Sequence, residues 1–260
     1  MNDTIVRVWL NFQSSVNRMR SGRQPLRQMP SEFRDRFTLG DQIPELNWYL
    51  NDIRVGGLKW TTKSRWWNQA KVARKAEGYY KQTDTFFYQS LVEFPLAGKD
   101  TVILGSEMPW YECIAHFYGA KVTTIEYRPV DCRIPVLNVM TPAEFTARPR
   151  KFDAAVSVSS IEHDGLGRYG DPIDPDGDLK AMTAIRNLLR QDGILYLSVP
   201  VGPDAIVWNA HRIYGPRRLP MLLEGWQVLS SYGLPKNPFD RPLGDYRLQP
   251  VFVLKPVCPP

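Results

Sequence analysis

Three cysteines in 260 residues, Cys113, Cys132 and Cys258, are too few and too scattered for a disulfide framework, and no two have metal-ligand spacing. A reduced, cytoplasmic protein is the expectation. No apolar run approaches the roughly 18 to 20 residues needed to span a bilayer. The opening residues, Met1 to Leu10, are interrupted by Asp3 and Arg7, and no small-residue cleavage site follows, so no secretory leader is expected. There is no Gly-x-Ser-x-Gly elbow, no cysteine beside a histidine and no phosphate-binding lysine loop. Nucleophilic hydrolysis and ATP hydrolysis therefore lack their usual equipment. No nucleic-acid motif accompanies the basic residues described next.

What the chain does have is apolar mass and unevenly placed charge. It is 43% hydrophobic, with 8 Trp, 12 Tyr and 11 Phe, enough to bury one sizeable core. The net charge is +6, and the surplus lies early: residues 1–90 hold 15 Lys and Arg against 8 acids. Arg18, Arg20, Arg23, Arg27, Arg34 and Arg36 form one basic zone. Lys59, Lys63, Arg65, Lys71, Arg74 and Lys75 form another, interleaved with Trp60, Trp66 and Trp67. Such zones either solubilise a helical extension or hold an anionic partner or membrane surface. Ile5, Val8, Trp9, Phe12, Val16 and Met19 recur at helical spacing and predict an amphipathic helix over residues 4–20. That helix docks on its own domain or lies peripherally on a membrane. Residues 21–45, with Pro25, Pro30 and Pro44, read as a linker or irregular arm, and residues 63–80 as a second helix.

From residue 100 strands and helices alternate. Strands are predicted at 101–105, 121–126, 136–139, 152–158, 194–199, 226–231 and 251–254, and helices at 110–118, 179–190 and 219–224. Thr141-Pro142-Ala143-Glu144 is a helix start: a capping hydroxyl, Pro at the first position and an acid three residues on. The alternation argues a parallel sheet covered on both faces. The densest chemistry follows the 152–158 strand, in the loop from Ser159 to Asp178. It packs carboxylates, His163, Arg168 and four glycines together, and core sequence does not tolerate so many polar groups.

This order resembles the class I methyltransferase fold, an α/β, Rossmann-like fold with a mostly parallel sheet and an antiparallel last strand. The resemblance covers about residues 98–256 and divides the chain into a basic, mainly helical N-terminal extension (1–97) and a methyltransferase-like domain (98–260). Gly105 ends the first strand, Glu126 the second, and Leu188-Leu189-Arg190-Gln191-Asp192-Gly193 turns into the fifth. More narrowly, Ile161-Glu162-His163-Asp164-Gly165-Leu166-Gly167-Arg168-Tyr169-Gly170-Asp171-Pro172-Ile173-Asp174-Pro175, Asn209-Ala210-His211-Arg212-Ile213-Tyr214 and Glu126-Tyr127-Arg128-Pro129 resemble the hallmarks of the domain-of-unknown-function family numbered 268, grouped with methyltransferase-like proteins.

The resemblance implies S-adenosyl-L-methionine as cofactor, held by Gly105, Ser106, Glu107, Glu126, Tyr127, Asn138, Ser160 and Ile161. Glu126 would accept hydrogen bonds from the ribose, and Asn138 would meet the adenine. The cofactor loop departs from the usual pattern: Ile103 stands where an acid is usual, and Glu107 and Pro109 stand where glycines are usual. The connection from Glu126 to residue 136 is also short for a parallel crossover. Methyl transfer to oxygen needs a proton acceptor and an aligned acceptor group. His163, Asp164 and His211 are the candidates for the first, and Arg168, Tyr169, Arg212 and Tyr214 for the second. The acid cluster Asp171, Asp174, Asp176 and Asp178 fails the calcium-loop spacing. No metal is expected, magnesium being the ion that would fit if one bound, and Asp178 is read as a helix cap. The implied function is O-methylation of a small-molecule or saccharide acceptor, with a glycoconjugate as one form of it. The rivals are a methyltransferase-like binding or scaffold protein without catalysis, and a non-methylating enzyme acting on a nucleotide-sugar.

Overall fold

A computed structural model describes residues 24–53 and 56–257. The helix expected over residues 4–20, Arg18, Arg20, Arg23 and Cys258 lie outside the described residues. The first elements are α1 (Ser31–Thr38), β1 (Glu45–Asn47), β2 (Leu58–Thr61), α2 (Gln69–Ala73) and α3 (Gln82–Glu93). There follow β3 (Asp100–Leu104), α4 (Trp110–Phe117), β4 (Lys121–Ile125), β5 (Val130–Arg133), β6 (Asn138–Met140), α5 (Pro142–Ala147) and β7 (Phe152–Val158). After a single 3-10 turn (Ile161–His163) come α6 (Gly177–Leu188), β8 (Leu189–Ser198), β9 (Ala205–Trp208), β10 (His211–Ile213), α7 (Arg218–Leu222), β11 (Trp226–Tyr232) and β12 (Val251–Pro256).

Seven strands form the central sheet in the order β11-β12-β8-β7-β3-β4-β6. Strands β6, β4, β3, β7 and β8 run parallel, and β12 is antiparallel to both its neighbours. This is the Rossmann-like, mostly parallel sheet with an antiparallel closing strand that the sequence predicts. Successive side chains point to opposite faces, and both faces are covered. Ala154, Val156, Tyr196 and Val253 pack under Phe87 of α3 and Ile114 of α4. Ala155, Leu195 and Phe252 pack under Met182 and Ile185 of α6. Burial on both sides explains why β7 reads as a near-continuous apolar run.

Topology fixes where a ligand can bind. From β3 the chain moves through β4 to β6, then returns to β7 on the other side of β3. The crevice outside the carboxyl ends of β3 and β7 is therefore the switch point where open α/β sheets hold ligands.

Several expectations are corrected. The third sheet strand begins at Asn138, two residues later than the expected start at 136, and runs to Met140. The short connection before it holds β5, which pairs with β2 in a separate two-stranded sheet. The expected 63–80 helix is reduced to the short α2, and the longer α3 lies beyond it. Between them Gly78 sits so close to the Trp110 ring that a Cβ there would lie 2.5 Å from it. The Gly78 N–H donates to the Asp84 carboxylate at 2.7 Å, which breaks the helix. The 21–45 arm contains α1, whose Phe37 meets Trp208 edge-on at 5.5 Å. Strand β1 runs parallel to β9, which pairs with β10. The start signal at Thr141 is a complete capping box: Thr141 Oγ1 accepts from the Glu144 N–H, and the Glu144 carboxylate accepts from the Thr141 N–H.

Candidate active site

A cavity of about 1320 Å³ opens at the switch point. Its floor is the loops after β3, β4 and β7. Its walls are residues 46–52 of the arm, the β9–β10 hairpin and the segment 244–249 before β12. Glu107 and Trp110 line it without filling it.

On one side lie Gly105, Ser106, Glu107, Glu126, Tyr127, Ser160 and Ile161, all on the cavity wall. Gly105 has φ 67°, and a Cβ there would lie 2.1 Å from Ser160 Oγ. The ends of β3 and β7 can approach this closely only with glycine at that position. The following loop lacks the usual later glycines and is shaped by side chains instead. Buried Glu112, in the first turn of α4, accepts from Ser106 Oγ at 3.1 Å and from Thr124 Oγ1 at 3.0 Å. Burial pushes its pKa up to about 7. From above, the Trp60 indole of β2 donates to the Glu107 carbonyl at 3.3 Å.

Glu126, just past β4, is 7% exposed. Its carboxylate accepts the Arg128 N–H at 3.0 Å. Burial, reinforced by the nearby Glu107 charge, pushes its pKa up to about 7. Asn138 is not with these residues. It opens β6 beside Thr123, to whose hydroxyl its amide donates at 3.4 Å. That is the amino end of the strand, whereas the cavity lies at the carboxyl end.

On the other side lie His163, Asp164, Arg168, Tyr169 and His211. His163 Nδ1 lies 2.6 Å from the Ala210 carbonyl. A carbonyl only accepts, so Nδ1 carries the proton and Nε2 is bare. Burial, and then the Arg168 charge, pulls the His163 pKa down to about 3. Burial likewise takes His211 to about 4. Both imidazoles are neutral at pH 7. Burial raises Asp164 well above the carboxylate range, and Asp171 adds to this. Asp171 itself accepts the N–H groups of Gly165, Gly167 and Tyr169, which folds the loop around it. Arg168 is engaged: its Nε donates to Asp52 of the arm at 2.7 Å.

Arg212 and Tyr214 do not line the cavity. Both are fully buried. Arg212 donates to the carbonyls of Asp164 and Pro175, and Tyr214 donates to Asp178 at 3.0 Å. Asp178 does not cap α6. It forms an ion pair with Arg218 at 2.5 Å and lies 3.6 Å from Arg212. Burial alone would raise its pKa, but the two guanidinium groups hold it below the usual range. This cluster is the internal brace of the loop from Ser159 to Asp178.

Sequence reasoning missed Glu162, Glu112, Asp52 and the rim aromatics Trp48, Tyr79 and Tyr246. Glu162 had a signal, since it adjoins His163 at the end of the β7 loop. Glu112 had none, because it sits within a helix whose other residues, His116 apart, are apolar or aromatic. Among the described residues no group of three or more His, Cys, Asp or Glu side chains is arranged to hold a metal ion. No described helix is long and apolar enough to cross a membrane.

A family model described as Caenorhabditis protein of unknown function, DUF268, matches residues 98–240, more than half of the chain. No curated protein matches. Among solved structures, the chain is similar to the Burkholderia thailandensis 1,6-didemethyltoxoflavin-N1-methyltransferase with bound 1,6-didemethyltoxoflavin and S-adenosylhomocysteine. That likeness is 16% identical, covers 74% of this chain and 81% of the other, and has a TM-score of 0.47. It is also similar to the glycopeptide N-methyltransferase MtfA complexed with S-adenosylhomocysteine (13% identical, 67% and 89% covered, TM-score 0.46). A third is a TehB-like methyltransferase from Corynebacterium glutamicum (14% identical, 72% and 93% covered, TM-score 0.45).

Proposed function

This chain belongs to the DUF268 family, and from that premise we propose that it is an S-adenosylmethionine-dependent methyltransferase acting on a hydroxyl of a polar acceptor such as a saccharide or glycoconjugate. The observation that carries the reading is the Glu126 carboxyl past the end of β4, beside the tight Gly105 turn, on a cavity at the switch point of the sheet. A buried acid there suits the paired hydroxyls of a ribose. The cofactor supplies a methyl group on a sulfonium, whose departure leaves a neutral thioether. Glu126 would hold the ribose, Gly105, Ser106, Tyr127, Ser160 and Ile161 would form the walls, and Glu107 would face the positive charge.

On the acceptor side, Trp48 (60% exposed), Tyr79 (60%) and Tyr246 (52%) offer flat faces to the solvent. All three line the cavity, and flat faces at its edge suit sugar rings. His163 and His211 stand as proton acceptors, with His163 best placed because the Ala210 carbonyl fixes its proton on Nδ1 and leaves Nε2 bare; Asp164, held protonated by burial, is the weaker candidate. Arg168 and Tyr169 complete the acceptor wall. Residues 98–260 are read as the methyl-transfer domain and residues 1–97 as an extension that walls its cavity. The exposed Lys59, Lys63, Arg65, Lys71, Arg74 and Lys75 support contact with an anionic partner or membrane surface.

Calorimetric titration with S-adenosylmethionine and S-adenosylhomocysteine tests the reading. Micromolar binding that is lost in Glu126→Ala is expected. Binding of neither compound to the parent protein would refute it and leave the nucleotide-sugar enzyme. Binding without turnover on any hydroxyl acceptor would leave the scaffold reading.

A further inference from the structure

We propose that Glu162 is the positioning partner of His163: the imidazole takes the acceptor's proton on Nε2, and the buried carboxylate behind it steadies the charge so created. This rests on the reading of the cavity as a methyl-transfer site.

The geometry assigns the two roles. The His163 side chain is 13% exposed and that of Glu162 1%, so the imidazole faces the cavity and the carboxyl stands behind it. The Ala210 carbonyl holds the Nδ1 proton and leaves Nε2 bare, 3.6 Å from Glu162 Oε1. Ser159 Oγ donates to the same Oε1 at 2.7 Å. Ser159 itself is held with φ 48°, a conformation rare outside glycine, and its N–H donates to Ser198. The second oxygen, Oε2, is buried with no hydrogen-bond partner among the described residues. An uncompensated carboxylate oxygen in such a place is costly unless a nearby positive charge offsets it. A transient imidazolium is such a charge.

The surroundings make the partner necessary. Arg168 Nη1 stands 3.3 Å from the ring, and Arg212 donates to the Glu162 carbonyl at 3.4 Å. Both cations, with neighbouring His211, oppose protonation of His163. Tyr80, Tyr169, Tyr214 and Asp164 also face the pair and cannot supply a compensating charge without ionising first. In the proton step the acceptor's O–H bond breaks, its electron pair stays on oxygen, and the proton bonds to Nε2. The oxygen becomes the nucleophile, and the imidazolium lies against Glu162. Burial pushes the Glu162 pKa up to about 7, so the pair becomes fully competent as pH rises through neutrality.

The test is nitrogen NMR of the histidine side chains in the full chain without added ligand. There are 3 histidines, and His163→Asn assigns the signal. The expected result is a His163 ring protonated on Nδ1 throughout pH 5 to 8, with an Nε2 signal that shifts with a midpoint near 7 as Glu162 ionises. Glu162→Gln should abolish that midpoint, and Glu162→Asp should retain a midpoint at a changed value. A proton on Nε2, or a titration that Glu162→Gln leaves intact, overturns the proposal. Glu162→Gln should bind S-adenosylmethionine within about twofold of the parent, because the pair faces the acceptor side. Loss of that binding also overturns the assignment. Failure of the parent protein to bind S-adenosylmethionine, with the NMR signature present, overturns the methyl-transfer reading instead.

Discussion

Cofactor binding to this cavity should be linked to ionisation of Glu126. In the free protein burial and the neighbouring Glu107 push Glu126 up to about 7, so near neutrality about half the molecules carry it protonated. Ribose hydroxyls donate hydrogen bonds and favour the carboxylate. Suppose two such bonds lower the bound value by about two units. At pH 6 roughly ten in eleven free molecules must lose a proton on binding, and at pH 8 about one in eleven must. Affinity then rises roughly ninefold from pH 6 to pH 8, about 1.3 kcal/mol. At pH 7 about half a proton leaves per ligand bound. Titration calorimetry in buffers of different ionisation enthalpy measures both quantities. Glu112 and Glu162 titrate in the same range, so Glu126→Gln is the control. It should weaken binding and flatten the pH profile. A parent profile that is flat from pH 6 to 8, or a slope that survives in Glu126→Gln, refutes the assignment of Glu126 to the ribose.

Further outcomes follow from the loop and its brace. Glu112 is raised in the folded state, so its contribution to stability is present at low pH and lost as pH rises through about 7. Glu112→Gln should shrink the loss of unfolding free energy between pH 5 and pH 8 by about 2 kcal/mol, read from urea titrations at both values; an unchanged loss would contradict its burial. Arg218→Ala removes the nearest cation from buried Asp178, leaving Arg212 and Tyr214 beside it, and should cost about 3 kcal/mol by urea unfolding, with a cost below about 1 kcal/mol counting against the buried pair. Gly105→Ala meets both a positive φ and Ser160 Oγ, and should abolish S-adenosylmethionine binding while the far-ultraviolet dichroism of the protein persists. Retained affinity would show that the β3 and β7 ends need not close so tightly.

The sequence made legible what depends on local pattern. Phe152–Val158 announced itself because all residues of this doubly covered strand except Asp153 are apolar or small, and Thr141 because a capping box is written in four consecutive residues. The family resemblance and the cofactor-side loops were legible for the same reason: Gly105 and Glu126 each end a readable strand. What depends on distant partners was not. Arg212 looks the same in sequence whether it reaches a substrate or four backbone carbonyls of a folded loop. Asn138 was misplaced because a strand of three residues carries too little periodicity to fix its ends. The arm was read as irregular because Glu45–Asn47 has no pattern of its own and becomes a strand only against β9.

That last pairing has a consequence for how the molecule is made. Glu45 aligns with Ile206 and Asn47 with Trp208, so a ribosome must deliver most of the polypeptide before this first of the described strands finds its mate. Contacts so remote along the chain form late, so the cavity wall of residues 46–52 is expected to set only after the parallel strands β3, β4 and β7 are in place.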